Sequence, residues 1–85
     1  MRSFEYTVTD PVGIHARPAG MLAKKAKEFS CEITLRKGEK SALATRLMAV
    51  MGLCIKCGDP VTVTLSGADE DVACTELQAW FSQNL

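Results

Sequence analysis

The chain holds one histidine, at position 15, within Asp10-Pro11-Val12-Gly13-Ile14-His15-Ala16-Arg17-Pro18. A glycine-bearing turn precedes it, and Pro18 follows, a residue comfortable in a helix only in the first turn. His15 is therefore read at or just before a helix N-cap, where several backbone N–H groups lack an intrahelical acceptor. Those donors and the positive end of the helix dipole make an anion site. Neutral imidazole is the nucleophile that phosphoryl transfer uses. Arg17 can reach the same place with planar donors matched to phosphoryl oxygens. The set has no carboxylate base, no metal cluster and no Walker-type loop. It suits a group acceptor whose reaction partner supplies the rest, rather than a self-sufficient enzyme. A surface cap with a solvated arginine fits the same residues, and physics alone leaves both readings open.

Four cysteines are present, Cys31, Cys54, Cys57 and Cys74. Cys54-Ile55-Lys56-Cys57 is the only suggestive spacing. A zinc site needs further ligands close by, and His15 lies far off in sequence. A redox pair belongs on a strand-to-helix turn, whereas Gly58-Asp59-Pro60 follows here. No metal and no cofactor are expected, and the cysteines are read as thiols used in packing and loops.

The elements that must position His15 follow from periodicity. Phe4, Tyr6 and Val8 alternate with polar residues, which predicts a strand. Ala19, Leu22, Ala23, Ala26 and Phe29 fall at helical spacing and predict a helix over 16–29. Ile33 and Leu35 mark a second strand, Lys37-Gly38-Glu39 a hairpin turn, and Ser41 to Leu43 a short third strand. Thr45 to Leu53 is a short helical candidate. Val61 to Leu65 alternates as a strand, and Asp69 to Asn84 predicts a last helix that opens on acidic residues. The order β-α-β-β-α-β-α lets all helices cover one face of an antiparallel sheet, an α+β two-layer domain over residues 1–85.

Composition narrows the function classes. Ten basic and ten acidic residues cancel, so no global field draws the chain to nucleic acid or an anionic membrane. Mean hydropathy of +0.06 and 47% hydrophobic residues argue against disorder. No stretch reaches the ~20 apolar residues that span a bilayer. The start, Met-Arg-Ser-Phe-Glu-Tyr, lacks the apolar run of a signal peptide, so a cytoplasmic protein is expected.

Gly13-Ile14-His15-Ala16-Arg17-Pro18-Ala19 closely resembles the active-site motif of HPr, the phosphocarrier family of the phosphoenolpyruvate-dependent sugar phosphotransferase system. The resemblance extends through Met48-Ala49-Val50-Met51-Gly52-Leu53 to Gly67-Ala68-Asp69-Glu70. It implies an open-faced sandwich of four antiparallel strands with three helices on one side. It further implies that His15 takes a phosphoryl group on Nδ1 from enzyme I and passes it to enzyme IIA domains of sugar permeases. Arg17 and the backbone amides of Ala16 and Arg17 would hold the phosphoryl oxygens. Docking in the family surrounds the histidine, which here implies Gly20, Met21, Lys24 and Lys27, with Leu47, Met48 and Met51 as an exposed apolar patch. Val50 and Leu53 would supply the buried side of that segment, and a monomer suits transient docking.

Two departures from the family pattern carry expectations. Gram-positive relatives place a kinase-regulated serine where this chain has Arg46, which leaves no regulatory serine and makes Thr45 a poor substitute. Cys54 replaces a glycine often found just after the second helix, where a left-handed residue closes it. Keeping that geometry with a non-glycine residue costs roughly 1 kcal/mol, so the helix end either bears that strain or rearranges. Rival functions are a carrier feeding a regulatory chain or a dihydroxyacetone kinase, and a docking module without phosphotransfer. Members of the latter kind replace the histidine, which this chain retains together with Arg17.

Overall fold

A computed structural model describes residues 1–85. The elements run β1 (Arg2–Thr7), α1 (Ala16–Ala26), β2 (Glu32–Lys37), β3 (Lys40–Leu43), α2 (Leu47–Met51), β4 (Pro60–Ser66) and α3 (Glu70–Asn84). The four strands form one antiparallel sheet in the order β1-β4-β2-β3. β4 is central, with Phe4 and Leu35 facing Val63 from either side and Ile33 facing Leu65. Alternation places Ile33, Leu35, Val61, Val63 and Leu65 on the covered face, each buried. The helices close that face to give the α+β open-faced sandwich that the element order implied.

Phe81 on α3 is fully buried and collects the aromatic residues around itself. Its ring meets Phe4, Tyr6 and Trp80 edge-on at centroid distances of 5.6, 5.5 and 5.7 Å. Leu22, Ala19 and Ala26 of α1 and Val50 of α2 complete the core. No helix is long and apolar enough to cross a membrane.

Element ends differ from the periodicity reading. α1 stops at Ala26, with Lys27 as C-cap, so Phe29 lies beyond the helix and packs half-buried against the core. The helical spacing ran on because the chain continues in tight turns whose amides bond three residues back, Glu28 to Lys25 and Phe29 to Ala26. α2 is shorter than 45–53 at both ends, with Arg46 as N-cap and Gly52 as C-cap. Cys54 keeps the left-handed conformation at φ 52°, the only non-glycine residue with positive φ. Of the two outcomes open at that position, the chain therefore bears the strain.

Candidate functional site

The loop between β1 and α1 is fixed from several directions. Val8 N–H donates to Asp59 O at 3.1 Å, and Gly58 N–H returns to Val8 O at 2.7 Å. Thr9 and Asp10 N–H both donate to the carbonyl of Leu85, at 2.6 and 2.7 Å. Ile14 is buried, and its N–H reaches Ile55 O at 3.0 Å. Between these anchors, Gly13 sits at φ 77° with its α-carbon against the neighbouring strand of chain. A β-carbon there would lie 2.4 Å from Ile55 O and 2.7 Å from Lys56 Cα. Position 13 therefore needs glycine for both conformation and space.

His15 emerges from this loop as the N-cap of α1, extended at φ −108° and ψ −171°, exposed, with its side chain bonded to none of the helix amides. Its carbonyl accepts the Ala19 N–H at 2.9 Å and so starts the helix. The amides of Ala16 and Arg17 have no partner within the protein. Pro18, the third helical residue, has no N–H at all. Within the first turn of the helix itself, the free donors are therefore the amides of Ala16 and Arg17, the two residues that follow His15. No acidic residue lies in the first turn to neutralise them.

Asp10, His15, Arg17, Pro18, Met21 and Asn84 line one open pocket of about 290 Å³. Arg17 is exposed and takes part in none of the ion pairs. His15 and Arg17 thus line a solvent-facing pocket, with Ala16 between them in the chain, and the ring, the guanidinium and the two amides have no partner within the protein. Asp10 and Asn84 were not singled out by sequence reasoning. Asp10 had a local signal, the first position of an Asp-Pro-x-Gly turn. Asn84 had none, because only the tertiary fold brings the end of α3 beside His15.

The surface around the pocket is mixed. Met21 is 42% exposed, Leu47 37% and Met48 76%, and Val12 on the His15 loop reaches 67%. Met51 does not join them: it is half-buried and packs against the core, correcting its place in the exposed patch. Met51 turns inward beside Val50 at the end of the five-residue helix, leaving Leu47 and Met48 as its exposed apolar residues. Lys24, Lys27 and Arg46 are exposed and unpaired, while Gly20 is half-buried on the same face of α1. Lys25 is different, held by Glu28 at 3.4 Å and Glu76 at 3.3 Å and lying 5.6 Å from the Phe29 ring centre. Cys54 and Cys57 are exposed free thiols, and Cys57 Sγ lies 3.7 Å from Thr9 O.

The model of the PTS HPr component phosphorylation site matches residues 2–83. The chain belongs to the HPr family. Phosphocarrier protein HPr of Lysinibacillus sphaericus is 45% identical over 73 residues, covering 86% of this chain and 83% of that protein. A solved histidine-containing phosphocarrier protein of Mycoplasma superposes with a TM-score of 0.88 at 40% identity, covering 92% of this chain and 89% of that one. HPr-C-His from Thermoanaerobacter tengcongensis gives 0.93 at 28% identity, over 99% and 94%. The family is that of the phosphocarriers of the phosphotransferase system.

Proposed function

We propose that residues 1–85 act as one carrier domain that takes a phosphoryl group onto His15 Nδ1 from phosphoenolpyruvate-charged enzyme I and gives it to enzyme IIA domains of sugar permeases. The reading rests on one observation above all: an exposed imidazole beside two unpaired amides and an unpaired guanidinium. In the uptake step a ring nitrogen lone pair attacks phosphorus, a new N–P bond forms, and the bond to the donor breaks. The donor recovers its own lone pair. Negative charge spreads over the phosphoryl oxygens, which the Ala16 and Arg17 amides and the Arg17 guanidinium stabilise. Delivery runs the same exchange in reverse with a different partner.

Docking falls to Gly20, Met21, Lys24, Lys27, Leu47 and Met48, with Met51 supporting from beneath. Exposed thioethers adapt to more than one partner, and the unpaired cations steer acidic surrounds toward the pocket. Arg46 caps α2 and offers no hydroxyl to a serine kinase, so control by phosphorylation at that position is closed to this chain. The carrier works as a monomer in the cytoplasm, without a metal or cofactor.

Incubation with enzyme I and phosphoenolpyruvate, followed by intact mass measurement, tests the reading. One acid-labile phosphate is expected, absent in His15→Ala. Arg17→Ala should unfold within about 0.5 kcal/mol of the parent, as expected of an exposed side chain, yet accept phosphate slowly. Phosphate retained by His15→Ala, or a parent protein that takes none, would defeat the proposal.

A further inference from the structure

Asp10 stands in the phosphoryl pocket without any part in the exchange just described, and it is held by three hydrogen bonds, two of them within the loop that carries His15. Its N–H donates to Leu85 O at 2.7 Å, its carbonyl accepts Gly13 N–H at 2.9 Å, and its Oδ1 accepts Val12 N–H at 2.9 Å. The carbonyl bond closes a four-residue turn, Asp10-Pro11-Val12-Gly13. The side-chain bond closes a smaller ring within it, of the kind short carboxylates and carboxamides form with the amide two residues on. Aspartate at the first position, proline at the second and glycine at the fourth each favour this turn locally. The next residues are Ile14, anchored to Ile55, and His15. The turn thus determines the angle at which the chain enters α1, and with it where the imidazole lies relative to the two free amides.

We infer that Asp10 is a positioning residue for phosphoryl transfer, acting through the Oδ1 bond to Val12 N–H rather than through its charge. The inference rests on the carrier reading above. Its physical content is geometric. The attacking nitrogen and the amides that receive the oxygens follow this turn directly in the chain, on His15, Ala16 and Arg17, and a displacement of about 1 Å in such an arrangement can cost up to roughly a hundredfold in rate. The Val12 amide is exposed, so water can replace the lost acceptor. Removing the side chain therefore loosens the turn more than it endangers the core.

Three variants separate the geometric role from a charge effect. Asn at position 10 keeps an acceptor at the same reach and removes the charge. Glu keeps the charge and moves the acceptor one methylene further out. Ala removes both. Single-turnover phosphorylation by saturating enzyme I is expected to proceed within about twofold of the parent rate in D10N. In D10E and D10A it is expected to be slower by roughly tenfold or more. Amide hydrogen exchange at Val12 and Gly13 should follow the same order, protected in D10N and faster in D10E and D10A. If D10A does not fold, the contrast between D10N and D10E carries the test. Parental transfer rates in folded D10A or D10E, or a D10N as slow as D10E, would overturn the inference. A parent protein that accepts no phosphate would instead overturn the carrier reading, and the exchange rates would still decide whether Asp10 holds the turn.

Discussion

Helices α1 and α3 begin in opposite ways. α3 opens on Asp69, Glu70 and Asp71, and each carboxylate has a partner. Asp69 accepts the amides of Ser30 and Cys31, both at 2.8 Å, Glu70 accepts the Gly67 amide at 3.1 Å, and Asp71 lies 3.4 Å from Arg2. α1 opens on His15, Ala16 and Arg17, with no acid in the first turn and no side chain returning to its amides. Neither N-cap side chain returns to its own helix amides, so both helices forgo the about 0.5–2 kcal/mol of a capping side chain, and the contrast lies in the acids that α3 carries in its first turn and α1 lacks. The two ends serve different purposes. Asp69 turns α3 into a brace that ties the loop between α1 and β2. The start of α1 is held rigid from behind, by Gly13 against Ile55 and by buried Ile14, and is left chemically open in front.

The comparison breaks most visibly if α1 is made to resemble α3. Ala16→Asp places a carboxylate in the first turn, where the helix dipole favours it by about 0.3–1 kcal/mol. Stability to denaturant is expected to rise slightly while phosphorylation by enzyme I slows by at least about tenfold, the equivalent of about 1.4 kcal/mol in the barrier. The new carboxylate takes the free amides and repels phosphoryl oxygens. A variant both stabilised and fully active would show that those amides do not serve transfer.

The converse change sharpens the contrast. The Ser30 amide, with help from the thiol and amide of Cys31, holds the Asp69 carboxyl below the usual carboxylate range. A group depressed in the folded state stabilises fully above its unfolded value and loses that contribution as pH falls through the folded one. Asp69→Asn is therefore expected to lower the thermal midpoint at neutral pH. The gap to the parent should narrow as pH drops below about 4. Transfer to and from His15 should be unchanged, which phosphorylation assays at pH 7 would check. Cys31 itself, buried beside Asp69, has its thiol pushed up to about 11, so it stays protonated across this range.

The smallest expected effect lies at Cys54, which shares with Gly13 a positive φ but not a glycine's freedom. Cys54→Gly should stabilise the fold by roughly 1 kcal/mol, read from the denaturant midpoint, with no change in transfer. Lys37 donates to the Cys54 carbonyl at 2.7 Å and pairs with Asp59 at 2.9 Å. Both contacts involve backbone or other side chains and survive the substitution.

What was legible in the sequence was local. Alternation of two gave the strands, and a lone histidine between a glycine turn and Pro18 gave the start of α1, because both signals lie within a few residues. Helix ends were less legible. Phe29 kept the helical spacing although its backbone had already left the helix, and Met51 kept its place in an apolar run although packing turned it inward. Asn84 joined the pocket only through long-range folding, since Leu85 O receives the Thr9 and Asp10 amides from the other end of the chain. Asp10 is within reach of sequence reasoning, because Asp-Pro-x-Gly is a local turn signal, but nothing in that signal says that the turn borders the pocket.

The central claim is that the Ala16 and Arg17 amides stand ready for an oxyanion delivered to His15. Proton–nitrogen NMR of the protein before and after phosphorylation by enzyme I addresses it directly. Both amide protons are expected to move strongly downfield, as new charge-assisted hydrogen bonds require. The Asp69-bonded amides of Ser30 and Cys31 should stay in place. Phosphorylated protein in which the Ala16 and Arg17 amides do not move would contradict the account.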